Sequence, residues 1–169
     1  MKVLMVCTGN ICRSPMMERV AATHAEKAGL HVTFTSGGTS AEETGNPIDH
    51  RARRVLERSV YDGSNHRAHQ VSAREVAEAD LVIAAEEHHR QKLLRLAPHA
   101  DVRLFSAFDP DLADGTGLPD PWYGPPEDFD ETLMGVEAAM PGLIAYLRTR
   151  PDAAGVALAI EAGSEPRVP

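Results

Sequence analysis

Four short β-favouring runs alternate with helix-patterned segments, and this alternation constrains the fold more than any other feature of the chain. Lys2 to Val6 is a continuous β-favouring run, the mark of a strand buried on both faces. Leu30 to Thr35 carries the β-branched residues Val32, Thr33 and Thr35, and Asp80 to Ala84 and Val102 to Phe105 are further strands. Between them lie amphipathic stretches. A helix opens at Ser14-Pro15, runs through Met16, Met17, Val20, Ala21 and His24, and stops near Gly29. Pro47 to Glu57 is a second helix, and Ala73 to Ala79 a third, capped by Ser72 with Glu75 reaching back. Glu86 to Leu96 is a fourth, ended by Pro98, and Phe129 to Arg148 a fifth, after a Pro/Gly-rich loop over 106–126. Strands separated by helices pair in parallel and need helices on both faces of the sheet.

The 169 residues suit one domain, expected over 1–150, with an Ala/Gly/Pro-rich tail over 151–169 expected to be flexible. A core of this size buries roughly 70% of the unfolded surface, so no disulfide or metal staple is required. Asp+Glu outnumber Lys+Arg 25 to 17, giving a net charge of −8. That balance argues against nucleic acid as a partner, because phosphate backbones demand cations. The N-terminal apolar run is too short for a signal sequence, and no stretch approaches the roughly 20 residues of a membrane span. A cytoplasmic location and a monomer are expected. The two cysteines, Cys7 and Cys12, share one loop, which in a reducing compartment points to reactivity rather than to a disulfide framework.

That loop carries the chemistry. Cys7-Thr8-Gly9-Asn10-Ile11-Cys12-Arg13-Ser14 lies between the first strand and the first helix, where parallel α/β sheets place their ligands. Five residues separate Cys7 from Arg13, enough for the backbone to curl so that its N–H groups converge beside a helix N-terminus. Gly9 and Asn10 are the residue types that tolerate the positive φ of such a curl. Arg13 has the planar fork that grips a tetrahedral oxyanion, and the same positive field favours ionised sulfur at Cys7. A thiolate under a bound phosphate is a nucleophile for phosphoryl transfer. The Cys-x5-Arg spacing alone is weak; its setting between strand and helix gives it weight.

The string Val6-Cys7-Thr8-Gly9-Asn10-Ile11-Cys12-Arg13-Ser14-Pro15 resembles the signature of low-molecular-weight protein tyrosine phosphatases, and is most similar to the bacterial, actinobacterial-like branch. Ser36-Gly37-Gly38-Thr39, Gly45-x-Pro47-x-Asp49-x-Arg51-Ala52, His66-Arg67-Ala68-x-Gln70 and Asp120-Pro121-Trp122-Tyr123-Gly124 are similar to further segments of that family, in the same order. The resemblance implies a flavodoxin-like α/β fold of the phosphotyrosine phosphatase I type: three layers around a four-stranded parallel sheet. It implies hydrolysis of phosphotyrosine in proteins, with no cofactor and no metal. Cys7 would be the nucleophile, Arg13 the phosphate clamp and Asp120 the general acid and base, ranked above Asp109, Asp111, Asp114 and Asp128. Asn10, Ser14, Ser36 and His66 would support the loop; Ser14 is a helix cap, a donor to Cys7, or both. Ile11, Trp122 and Tyr123 would line the substrate cleft. Ile11 stands where a Thr is associated with phosphoarginine phosphatases. Cys12 is either a packing residue or the partner of Cys7 in a protective disulfide.

Two departures from the family are visible. Glu42 and Glu43 fall in the loop where the family often carries a Trp; by that resemblance they would stand at the cleft rim and should favour basic phosphopeptides. Ala85-Glu86-Glu87-His88-His89 replaces a usual Met-Asp-x-x-Asn; its adjacent histidines and His66-x-x-His69 could suggest metal, but such pairs without Cys or further ligands are a weak signal. A tyrosine-phosphorylated protein, with a cognate tyrosine kinase as one candidate, is the implied partner. The rivals are a phosphatase of a small metabolite or of phosphoarginine, an arsenate reductase, and a non-catalytic phosphate binder. The arsenate reductase needs relay cysteines that this chain lacks.

Overall fold

The first strand, β1 (Lys2–Cys7), is buried on both faces, and the rest of the molecule is arranged around it. In the computed structural model, residues 1–113 and 115–153 are described; Asp114 and the part of the expected tail over 154–169 lie outside the described residues. β1 pairs in parallel with β2 (Thr33–Gly38) on one side and β3 (Leu81–Ala84) on the other, and β3 pairs in parallel with β4 (Val102–Leu104). The sheet order is β2-β1-β3-β4, so the chain reverses direction across the sheet at β1. A crevice outside the carboxyl ends of the strands at such a reversal is where ligands bind.

Alternation along the strands divides the core in two. Val3, Met5 and Cys7 of β1, with Leu81 and Ile83 of β3, pack beneath α1 (Arg13–Lys27) and α5 (Asp128–Arg148). Leu4 and Val6, with Val82 and Ala84, face the other way, toward α3 (Ala73–Glu78) and α4 (Glu87–Leu96). The expected three-layer α/β architecture is therefore present. The buried stripe of α5, Leu133, Val136, Met140, Leu143 and Leu147, follows the helical period of the sequence. The capping box of α3 is formed by Ser72 and Glu75 as its spacing predicts. Among the described residues, no helix is long and apolar enough to cross a membrane.

The second strand lies three residues later than the sequence pattern puts it. Gly29 (φ 70°) ends α1, its N–H donating to Glu26 O at 3.0 Å and that of Leu30 to Ala25 O at 2.9 Å. Leu30 thus belongs to a helix-terminating motif and packs on the core from there. The strand then continues through Ser36-Gly37-Gly38, a segment that reads as loop in sequence. Gly38 is required there, because a Cβ would stand 2.6 Å from Thr8 O. The second helix also starts late: α2 (His50–Arg58) is capped by Asp49, whose carboxylate accepts the Arg51 N–H. The long loop after β4 opens with a 3-10 turn, Phe105–Phe108, that the sequence does not announce.

Candidate active site

The carbonyls of the loop after β1 are nearly all committed to neighbours. Thr39 N–H donates to Cys7 O at 2.9 Å, Ser40 N–H to Thr8 O at 3.0 Å, Asp49 N–H to Ile11 O at 2.8 Å, and Met16 N–H to Cys12 O at 3.2 Å. His66 Nε2–H donates to Asn10 O at 2.6 Å. The N–H groups of Thr8 to Cys12 donate to no acceptor among the described residues. One edge of the loop is thus fastened and the other carries free donors, the arrangement of an anion nest at the start of a helix.

Asn10 holds this shape from inside. It is fully buried, at φ 60°, in the left-handed region that Asn tolerates. Its Nδ2 donates to Ser14 Oγ at 3.0 Å and Ser36 Oγ at 2.9 Å, and its Oδ1 accepts the His69 N–H at 3.1 Å. Ser36 in turn donates to Glu18 at 2.5 Å. Ser14 Oγ lies 3.1 Å from Cys7 Sγ. It makes no capping bond: Cys12 takes the N-cap position of α1, without a side-chain cap. Of the two roles expected of Ser14, the helix cap is not formed, and its hydroxyl lies beside the Cys7 sulfur instead. Gly9 also differs from expectation. It is not among the positive-φ residues, and a Cβ there would stand 3.0 Å from Glu43 Cγ at the cleft rim.

Arg13 is 1% exposed, and a cation so buried requires partners. Nη1 donates to Glu86 at 2.5 Å and Leu118 O at 2.9 Å; Nη2 donates to Asp120 Oδ2 at 2.7 Å. Three of the five guanidinium donors are used, leaving Nε–H and one Nη2–H for a ligand. Around these groups lies a cleft of about 290 Å³ lined by Cys7, Thr8, Gly9, Ile11, Cys12, Arg13, Glu42, Glu43, Asp120, Trp122 and Tyr123. Of the described acids in the 106–128 loop, only Asp120 lines this cleft. Asp109 is buried and accepts the Asp111 N–H in a local turn instead, and Asp114 lies outside the described residues. Trp122 is 37% and Tyr123 94% exposed, so they are open walls rather than core.

Both cysteines are free and buried. Burial, and then the neighbouring Asp49, Cys7 and Asp120, push the Cys12 thiol well above its ordinary range, so Cys12 stays protonated. His66 is pushed below its ordinary range, chiefly by burial, in keeping with a neutral ring that donates to Asn10 O.

Several site residues escaped the sequence reading. Glu86 is a second carboxylate partner of Arg13 beside Asp120, and Glu18 the terminus of the Asn10 network. His89 is fully buried against the loop, with Nε2 2.8 Å from Thr8 Oγ1, and burial followed by the charges of His88, Arg13 and Lys92 pushes it down to about 3. The Glu86–His89 segment signalled only that it departs from the usual pattern. Glu86, His88 and His89 offer ligand atoms within 4.8 Å of one another, but the Glu86 oxygen is already held by Arg13. His66 and His69 part company, His69 pairing with Glu75.

The model of the family described as low molecular weight phosphotyrosine protein phosphatase matches residues 2–152. A Streptomyces coelicolor low molecular weight protein-tyrosine-phosphatase is 43% identical over 154 residues, covering 87% of this chain and 93% of its own. The chain belongs to the low molecular weight phosphotyrosine protein phosphatase family. The fold agrees. A protein tyrosine phosphatase of Entamoeba histolytica, solved with Hepes in its active site, superposes with a TM-score of 0.82 at 27% identity, covering 88% of this chain and 97% of its own. Vibrio vulnificus Wzb in complex with benzylphosphonate superposes with a TM-score of 0.76 at 29% identity, covering 86% and 97%. The five segments meet around one loop: Ser36, the Asp49–Arg51 pair and His66 brace the 7–13 loop through Asn10 and Ile11, and Asp120 pairs with its Arg13.

Proposed function

We propose that this chain hydrolyses phosphotyrosine in proteins through a cysteinyl-phosphate intermediate, and that residues 1–150 carry the whole activity. The observation that carries this reading is the row of unengaged N–H groups from Thr8 to Cys12 beside buried Cys7 and the two spare donors of Arg13. Such donors stabilise the equatorial oxygens of a transferring phosphoryl group without reorganising. In the first step the Cys7 sulfur forms a bond to phosphorus as the bond from phosphorus to the tyrosyl oxygen breaks. Asp120 gives its proton to the departing oxygen. In the second, Asp120 takes a proton from water, whose oxygen displaces Cys7 from phosphorus and releases phosphate. Ser14 Oγ donates to the sulfur as it leaves. The positive field comes from Arg13 and the loop, so no metal is invoked.

Ile11, Trp122 and Tyr123 form the walls for a flat aromatic ring. The relative solved with benzylphosphonate, a phosphonate that carries an aromatic ring, supports this use of the cleft. Glu42 and Glu43 line the same opening, so peptides with Lys or Arg beside the phosphotyrosine are preferred. Cys12 serves as a reserve thiol. Peroxide oxidises Cys7 to the sulfenic acid; the Cys12 thiol then gives its proton to the sulfenic hydroxyl, which leaves as water while its sulfur bonds to that of Cys7, forming a disulfide that thiols reduce. The protein acts as a cytoplasmic monomer on tyrosine-phosphorylated proteins, a cognate kinase among them.

A panel of phosphotyrosine, phosphoserine, phosphoarginine and sugar phosphates tests the reading. Phosphotyrosine should have the highest kcat/KM. A preference for phosphoarginine or a sugar phosphate would reassign the substrate, and no turnover of any would make the chain a phosphate binder.

A further inference from the structure

We infer that Arg51, on α2, is a positioning residue that fixes the Asp120 loop over the phosphate loop; the inference rests on the general-acid reading of Asp120. Arg51 is held to Asp49 by Nε at 3.1 Å and Nη2 at 3.2 Å, and Asp49 donates its own N–H to Ile11 O of the phosphate loop. The remaining terminal nitrogen of Arg51, Nη1, donates to Trp122 O at 3.3 Å. Its guanidinium carbon lies 4.5 Å from the ring centre of Phe129, the second residue of α5, and 5.4 Å from that of Trp122. The Trp122 N–H then donates to Asp120 Oδ1 at 3.2 Å.

A continuous chain of contacts therefore joins Ile11, Asp49, Arg51, Trp122 and Asp120. It ends on Oδ1, while Arg13 holds Oδ2 of the same carboxylate. The two arginines grip the acid from opposite ends, one at the phosphate site and one through the backbone of the loop. Pro121 shortens the link, since its fixed φ passes the position of Trp122 directly to Asp120. Only a planar cation with donors on several sides can meet a carboxylate, a carbonyl and two ring faces together, which lysine cannot do.

The experiment measures kcat/KM over a series of aryl phosphates of rising leaving-group pKa, for wild type, Arg51→Met, Arg51→Lys, Asp120→Ala and the double variant Arg51→Met/Asp120→Ala. Arg51→Met should lower kcat/KM for phenyl phosphate about tenfold and for p-nitrophenyl phosphate less than twofold, which steepens the leaving-group dependence. Arg51→Lys should not restore it. In the Asp120→Ala background Arg51→Met should steepen it no further. Trp122 is the only tryptophan of the chain, so its fluorescence reports the loop directly and should change in both Arg51 variants even if turnover is too weak to follow. An equal loss on both substrates, an additive double variant, or unchanged Trp122 emission overturns the inference alone. A flat Asp120→Ala series overturns the general-acid reading and the inference with it.

Discussion

The phosphate loop and the Asp120 loop meet across one cleft but are held in opposite ways. Residues 7–13 are fastened from β2, α2 and the 66–69 segment, with a buried asparagine at the centre making side-chain bonds in three directions. The Asp120 loop is exposed, and beyond its own prolines it is held by Arg13, Arg51 and a Leu118 N–H to Ala85 O bond of 2.8 Å. Under the proposed mechanism the difference follows from the two tasks. Stabilising a dianion requires many donors fixed in advance, and so a rigid, internally satisfied loop. Delivering one proton requires one carboxyl in reach and room for substrate to pass, and so a stiffened strap with few anchors.

The sharpest way to break this contrast is Cys7→Ser. Turnover of phosphotyrosine should fall by about 10⁴-fold or more, while phosphate still binds, because the donors belong to the loop and not to the sulfur. Loss of phosphate binding along with turnover, measured by calorimetry, would mean that the nest is not preformed. Next in size is Asn10→Ala. It leaves Ser14, Ser36 and the His69 N–H short of partners and puts alanine at positive φ, a cost of about 2–4 kcal/mol. At about 2–4 °C per kcal/mol, the melting temperature should drop by several degrees. A variant with wild-type melting and wild-type turnover would show that the loop holds its shape without the network.

The third effect depends on pH. His66 and His89 are both held neutral by burial, His89 down to about 3. In the unfolded chain histidines take up protons near pH 6.5. Below that value the unfolded state binds more protons, so stability falls as pH drops, toward pH 3 for His89, and the full contribution is present above about 6.5. Each histidine contributes a slope of at most about 1.4 kcal/mol per pH unit. Urea midpoints between pH 7.5 and 5 should show the decline, and His89→Asn should flatten it; an unchanged slope would remove His89 from the account. The smallest effect is at the rim. Glu42→Lys with Glu43→Lys should shift the ratio of kcat/KM for basic over acidic phosphopeptides by about threefold in low salt and less in high salt. Equal ratios would make the rim charge irrelevant.

The sequence made the order of strands and helices legible, because apolar alternation and end signals such as Ser72 with Glu75 are local. It also made Cys7, Arg13 and Asp120 legible, the first two by spacing in context and the third by resemblance. What stayed hidden depended on contacts between distant segments. β2 is displaced because Leu30 is recruited by a helix end and because Gly38 must clear Thr8 O, a neighbour thirty residues away. Glu86 is indistinguishable in sequence from the adjacent Glu87 until the fold sets it against Arg13. Arg51 sits in a motif that marks the family, yet its link to Trp122 spans 71 positions.

The most direct measurement is a crystal structure of the protein soaked in vanadate. The vanadate should sit in the loop, accepting hydrogen bonds from the N–H groups of Thr8 to Cys12 and the spare donors of Arg13, with Cys7 Sγ directly behind the vanadium and Asp120 on the far side. An empty loop, or an anion bound away from Cys7, would contradict it.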